Sequence, residues 1–429
     1  MKKALSSLAV LAMALSTCTG AASASTPHKR ATPRTHTSQA TAEANLAAPT
    51  LPVTGASLLL AGTETPLWSS NGNAELPIAS TTKIMTALVV LQHVKNLNTV
   101  FTQTDWDPAA ADSQIGLIPG ERMTVHDLLV ALLLPSADDA AEDLAYNVGD
   151  GSVARFVAMM NADARALGLE HTHYTTPIGL DTPGNYSSPD DLVRLADYMM
   201  RRWPFFRQTV ALPSAVLTSG RYVRHIVNTD DLVAKVGWID GVKTGHTTDA
   251  GYVLVSQGSR DGFTLLASVL GTASEAERDS SALTLLNWGF SEFRLARPVS
   301  RGEQFARRRV PYEVAPALIV AERGYRTVVA RAARIDVSVG KLRKLQGPMA
   351  KGTVVGHLRV AIAGRRTVRI PLILARRLPA VSELKKLGHF VKQPITLLVL
   401  ALLLGSAGAV FVGRRRRPRV VALRRVEER

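Results

Sequence analysis

Ala79-Ser80-Thr81-Thr82-Lys83 decides the reading of this chain, because it opens a stretch, 79–91, whose apolar residues recur at helical spacing. Residues three apart share one face of a helix, so Ser80 and Lys83 meet at the start of an amphipathic helix. A serine hydroxyl is a poor nucleophile unless a base lies within hydrogen-bond reach. A lysine serves as that base only if burial or a second cation lowers its pKa. The positive end of the helix dipole also falls where negative charge builds up at a reacting centre. Taken alone, Ser-x-x-Lys is a common coincidence, equally satisfied by a capping serine and a solvated lysine.

Two later stretches change that reading. Leu134-Pro135-Ser136-Ala137-Asp138-Asp139 interrupts the helical stretch 125–148 with a second short serine motif. Gly241-Val242-Lys243-Thr244-Gly245-His246-Thr247 comes just before a strand-like run from Gly251. Lys243 there supplies a fixed positive charge and Thr244 a hydroxyl for an anionic group, while the small Gly245 admits a substrate backbone. The three motifs in this order form a set shared by serine β-lactamases and penicillin-binding proteins.

Further stretches accompany them: Pro119-Gly120-Glu121-Arg122-Met123-Thr124-Val125, Gly179-Leu180-Asp181-Thr182-Pro183-Gly184-Asn185, Gly352-Thr353-Val354-Val355-Gly356 and Ile370-Pro371-Leu372. On these residues the chain resembles the low-molecular-mass penicillin-binding proteins of the D-alanyl-D-alanine carboxypeptidase type, over roughly Val53 to Ser382. The resemblance implies an α/β (α+β) serine-β-lactamase-like, penicillin-binding domain followed by a small all-β domain. It implies that Ser80 attacks the carbonyl between two D-alanines and that Lys83 accepts its proton. Ser136 would relay a proton toward the leaving D-alanine. Lys243 and Thr244 would hold the terminal carboxylate, with Asp138, Gly245 and His246 completing the substrate site. The backbone N–H groups of Ser80 and His246 would form the oxyanion hole. Peptidoglycan stem peptides ending in D-Ala-D-Ala are then the substrates, β-lactams acylate the same serine, and neither metal nor organic cofactor is required.

One position departs from the family. Its second motif usually ends in Asn followed by Asp; here Asp138 is followed by Asp139. Asn offers an acceptor and an NH₂ donor, whereas an ionised Asp only accepts. A carboxylate near Lys83 also favours the ammonium and so opposes its role as base.

Other functions compete for the same residues. A class A β-lactamase adds a deacylating Glu, usually in Glu-x-x-Leu-Asn. Glu170 lies 34 positions after Ser136, but His171-Thr172-His173 follows it and the motif is absent. A non-catalytic wall-binding or regulatory protein would rest on Asp138 alone. An endopeptidase cleaving cross-links uses the same groups, and the sequence leaves that balance open.

Outward from the motifs, Lys2, Lys3, the apolar Leu5–Leu15 and Ala22-Ser23-Ala24 read as a signal peptide, 1–24. Leu15-Ser16-Thr17-Cys18 also resembles a lipoprotein box. Cys18 is the one cysteine, so a chain cleaved after Ala24 has neither disulfide nor thiol chemistry. Residues 25–52, rich in Ser, Thr, Ala and Pro, read as a flexible linker. Within the expected peptidase domain, 53–293, Ser57–Ala61, Gly251–Gln257 and Phe263–Leu270 read as strands, the last two joined at Asp261-Gly262. Helices are expected over 79–91, 125–148, 188–202 and 283–293. Residues 297–382 hold many Val, Arg and Gly in short strand-like runs, the expected β domain. The apolar run Ile395–Val412, within an expected transmembrane helix 394–413, is long enough with its flanks to cross a core of ~30 Å. The tail 414–429 has eight Arg against two Glu, a net +6. The positive-inside rule places that tail in the cytoplasm and 25–393 outside. The 429 residues, 46% hydrophobic, suffice for two or three domains. The net charge of +16 does not signal nucleic acid, because the Arg clusters lack interleaved aromatics and glycines.

Overall fold

A computed structural model describes residues 48–104, 113–384, 386, 395, 397–399 and 401–406. The expected signal peptide with Cys18, the linker up to residue 47 and the basic tail lie outside the described residues, as does much of 394–413. Among the described residues no helix is long and apolar enough to cross a membrane.

The chain runs through β1 (Gly55–Leu60), β2 (Trp68–Ser70), a 3₁₀ turn (Ala79–Thr82), α1 (Lys83–His93), β3 (Val100–Thr102), β4 (Arg122–Thr124), α2 (Val125–Leu133) and α3 (Asp138–Val148). There follow α4 (Val153–Ala166), α5 (Pro189–Arg202), α6 (Pro204–Val210), β5 (Ser214–Leu217), β6 (Arg224–Val227), α7 (Asp231–Lys235), β7 (Ile239–Thr247), β8 (Gly251–Arg260), β9 (Phe263–Thr272) and α8 (Glu275–Glu292). Strands complete the second half: β10 (Phe293–Val299), β11 (Gln304–Arg308), β12 (Ala317–Ala321), β13 (Tyr325–Ala330), β14 (Ile335–Val339), β15 (Val354–Ile362) and β16 (Val368–Leu374).

One antiparallel sheet, ordered β2-β1-β9-β8-β7, organises the first half. Its hairpin turns at Asp261 (φ 55°) and Gly262 (φ 81°), the left-handed pair whose twist matches the flanking strands. Successive side chains point to opposite faces. Leu58, Leu254, Leu265 and Ala267 pack with Leu285, Leu286 and Phe290 of α8. Leu59, Val253, Val255 and Leu266 join the helices on the other face. Both faces are therefore covered, which explains why β8 and β9 read as near-continuous apolar runs.

The helices hold two corrections. The spacing over 79–91 predicts an amphipathic helix, but α1 is buried at every position from Lys83 to Leu91. A helix buried all round must satisfy its polar residues internally. Thr86 Oγ1 donates to Pro177 O at 2.6 Å and Lys83 Nζ to Ile178 O at 2.8 Å. Second, the closing helix begins at Glu275, eight residues before the expected Leu283. A Ser-x-x-Glu pattern starts it: Ser274 Oγ accepts from Glu277 N at 3.2 Å, and Glu277 Oε2 from Ala273 N at 3.1 Å. The stretch 125–148 breaks at Leu134–Ala137 into α2 and α3, where the serine motif interrupts it.

A second sheet, β11-β12-β16-β15-β14, has its own core of Ile319, Leu358, Val360, Ile370, Leu372 and Leu374. Between the sheets, β10 pairs with β13, and Val328 of β13 enters the core beneath α8. β10 thus runs through the interval between 293 and 297 that separates the two expected domains.

Phe290 is 1% exposed and meets Trp238 edge-on at 5.6 Å and Phe263 at 5.2 Å. Phe290→Ala is expected to lower unfolding stability by about 3–5 kcal/mol. Denaturant titration checks this, and a loss under about 1 kcal/mol would mean that α8 does not carry the core.

Candidate functional site

Ser80 lies on the 3₁₀ turn that leads into α1. The residue before it, Ala79, has φ 45°, a left-handed conformation unfavourable for a residue with a Cβ. Two glycines permit this turn. A Cβ on Gly179 would sit 2.1 Å from Ala79 O, so only glycine lets that segment close on the turn. A Cβ on Gly245 would sit 2.7 Å from Ser80 N and 2.9 Å from Ala79 Cβ. The bare backbone of β7 therefore comes against the serine's own N–H, and any side chain there would obstruct it.

Lys83 is fully buried. Its Nζ lies 2.9 Å from Ser80 Oγ, 2.8 Å from Ile178 O and 2.5 Å from Asp138 Oδ1. The other oxygen of Asp138 accepts from Ser113 N at 3.2 Å. Asp138, which the resemblance places in the substrate site, thus has both oxygens engaged within the protein. Its opposite charge favours the ammonium form of Lys83. Asp139 accepts from Ile115 N at 3.2 Å and Leu117 N at 2.9 Å, tying that loop to the start of α3. One turn along, burial and then the charge of Asp138 push the Glu142 carboxyl up to about 7, with Lys83 opposing. Sequence reasoning missed Glu142, although Asp138 and Glu142 stand four apart on one helix face.

Ser136 has φ 66°, is 5% exposed, and its Oγ has no hydrogen-bond partner among the described residues. A buried hydroxyl left unsatisfied is uncommon and fits a group that waits for a ligand or a proton.

β7 is an edge strand, paired only with β8, so its outer edge is open for an extended ligand. On it, Lys243 is 1% exposed and donates to Thr244 O at 3.1 Å. The motif alone assigns Lys243 a fixed positive charge. Instead burial, followed by the charge of Lys83, pushes its ammonium down to about 7, against the pull of Asp138 and Asp230. The charge is conditional near neutrality, and an arriving carboxylate would restore it. Thr244 Oγ1 lies 2.7 Å from Thr229 Oγ1, which donates to Leu134 O at 3.2 Å and so links β7 to the Ser136 segment. The His246 ring is exposed and stacks on Tyr252 at 4.0 Å.

The structure thus gathers Ser80, Lys83 and Asp138 directly, and sets Gly245 against Ser80. It adds partners that no motif announced: the carbonyl of Ile178, Glu142, Thr229 and Asp230, whose carboxyl burial pushes up to about 6. A cavity of about 380 Å³ lined by Ala79, Gly179, Asp181, Asn185 and Asp249 adjoins the turn. Among the described residues no group of three or more His, Cys, Asp and Glu converges as a metal site would require. A hydroxyl 2.9 Å from a buried amine suits proton transfer and nucleophilic attack once that amine is neutral.

A family model described as D-alanyl-D-alanine carboxypeptidase matches residues 45–274. The chain is 36% identical over 258 residues to the D-alanyl-D-alanine carboxypeptidase of Streptomyces sp. (strain K15), covering 57% of this chain and 89% of that protein. It is 28% identical over 342 residues to the D-alanyl-D-alanine carboxypeptidase DacA of Escherichia coli (strain K12), covering 76% and 83%. Among solved structures, penicillin binding protein 5 from Haemophilus influenzae superposes with a TM-score of 0.58 at 25% identity, covering 77% of this chain and 98% of that one.

Two expectations follow from the charges. Removing the anion beside Lys83 by Asp138→Asn should move the rising limb of the pH profile for Ser80 acylation to lower pH. Displacing the limb by about one pH unit corresponds to about 1.4 kcal/mol, or about tenfold in rate at a fixed pH on that limb. Overlapping profiles, measured with a fluorescent penicillin, would remove Asp138 from the chemistry. Because Lys243 is cationic only below about 7, KM for a peptide with a free terminal carboxylate should rise with pH above that value. The limit is about tenfold for each pH unit. A KM flat from about pH 6 to 9 would contradict the conditional charge.

Proposed function

The chain belongs to the D-alanyl-D-alanine carboxypeptidase family, and from that premise we propose that it removes the terminal D-alanine of peptidoglycan stem peptides through an acyl-enzyme on Ser80. The observation that carries this reading is the 2.9 Å contact between the fully buried Lys83 Nζ and the Oγ of the half-buried Ser80. The stem peptide lies along the open edge of β7, its terminal carboxylate on Lys243 and Thr244. Neutral Lys83 takes the hydroxyl proton as Ser80 Oγ attacks the carbonyl between the two D-alanines. The resulting oxyanion faces the N–H groups of Ser80 and His246. The C–N bond then breaks, and the leaving amine takes a proton through the Ser136 hydroxyl. Water hydrolyses the ester, frees the shortened peptide and returns Ser80. A β-lactam enters the same path, but its leaving nitrogen stays tethered to the acyl group, so the adduct persists.

The sequence features at both ends support a topology for the same enzyme. A signal peptide over 1–24 and the apolar run Ile395–Val412 followed by Arg414–Arg417 put residues 25–393 outside the membrane and the tail inside. The catalytic site then faces the wall that holds its substrate.

Incubation with a stem pentapeptide should release D-alanine, and labelled penicillin should attach at Ser80. Ser80→Ala is expected to abolish both, and label retained by that variant would sink the assignment. Lys83→Ala should also lose acylation, since Lys83 is the base in contact with the hydroxyl. For the topology, protease added outside intact protoplasts should remove the catalytic domain. Full protection would refute the placement.

A further inference from the structure

Charge is divided sharply along this chain. Residues 53–293 carry 15 Lys and Arg against 27 Asp and Glu, a net −12. Residues 297–382 carry 19 Lys and Arg against four Asp and Glu, a net +15. Among the described residues, no Lys or Arg of 297–382 forms an ion pair with a carboxylate. Arg331 donates to Ser291 O and Phe290 O at the end of α8, Arg365 to Thr327 Oγ1 and Arg376 to Pro316 O, but none of these cations is neutralised by a carboxylate among the described residues.

Their placement is specific. The register of β15 on β16 sets Arg359 directly opposite Arg369, and the register of β14 on β15 sets Ser338 beside Arg359. Leu358, Val360 and Ile370 alternate with them into the core, so Arg359, Arg369 and Ser338 share the outer face, all three exposed. Arg307 of β11, opposite Leu318, lies on that face too. Like charges directly across a ladder oppose the sheet that holds them. Folding gains nothing from this pair, whereas an external anion would relieve it.

We propose that this outer face, centred on Arg359 and Arg369, docks on the anionic headgroup phosphates of the membrane that the same chain enters. The proposal rests on the reading of Ile395–Val412 as a span. Twelve residues, 383–394, separate Ser382 from that run, a chain length that spans at most about 40 Å. The β half is thus tethered near the bilayer surface, where basic side chains are drawn to anionic lipid within a Debye length of ~10 Å. The same surface repels the −12 half, so docking also turns the β7 edge and Ser80 away from the bilayer.

The test uses the full chain carrying Cys18→Ser and Ser338→Cys, labelled with a fluorophore and reconstituted with vesicles of phosphatidylcholine or phosphatidylglycerol that bear a headgroup quencher. Flotation with phosphatidylcholine reads the span; quenching in the two lipids reads the docking. Quenching at least twofold stronger in phosphatidylglycerol is expected, lost at high salt and in Arg359→Glu with Arg369→Glu, or reduced in the milder Arg359→Gln with Arg369→Gln. Penicillin labelling of Ser80 should be unchanged in these variants, as a control for folding. A chain that floats with phosphatidylglycerol alone would refute the span and leave the docking supported. Equal quenching in both lipids, or quenching that survives charge reversal, would overturn the proposal. So would lipid-independent quenching together with charge-dependent retention on a phosphodiester wall polymer, which would assign this face to the wall.

Discussion

Lys83 is withdrawn from water at the head of α1, and its charge must be met by whatever protein oxygens reach it. Stranding an ammonium in the interior costs several kcal/mol unless close partners compensate. The three found here come from three segments: Ser80 from the preceding turn, Ile178 O from the loop after α4, and Asp138 from the start of α3. Satisfying one nitrogen therefore forces these segments to converge. The local irregularities sit around that point. Ala79 and Ser136 take left-handed conformations, and Gly179 is pressed against Ala79 O. Strain of this kind persists only where surrounding packing over-determines it, and α1, buried from Lys83 to Leu91, supplies that packing.

A second buried lysine, Lys243, lies within electrostatic reach of the first. Lys83 and Lys243 repel, while Asp138 and Asp230 pull the other way. Burial decides the balance, leaving Lys243 and Glu142 both near 7. Groups so balanced change protonation when a single charge arrives. A carboxylate placed beside Lys243 would favour its ammonium form, and the two charges would largely cancel as felt at Lys83. Asp138, paired with Lys83, favours the ammonium form of that lysine.

The sheet that carries Lys243 is closed at one side and open at the other. α8 and the helical layer cover its faces, and β2 ends one edge, which leaves the β7 edge as the approach to Ser80. β10 and β13 connect this half to the second sheet through the core beneath α8. The connection joins a strongly acidic half to a strongly basic one, so the molecule is polarised along its length.

What the sequence determined by itself were the features that depend on near neighbours. Ser80 and Lys83 share a helix face because they are three apart. Asp261-Gly262 makes the β8–β9 turn because its residues tolerate positive φ, and Leu134–Ala137 breaks a helix at its proline. The motif order, through resemblance, carried the family and its penicillin-binding fold. Tertiary structure decided everything that depends on burial and on contacts between distant residues. The start of α8 was readable in Ser274 and Glu277 but was masked by the weak apolar spacing of its first two turns. That both oxygens of Asp138 are engaged, by Lys83 and by Ser113 N, that Ile178 offers a carbonyl 95 positions away, and that Lys243 is only conditionally charged could not be read from spacing. A side chain's charge state is set by the dielectric and the partners around it, and those exist only once the chain has folded.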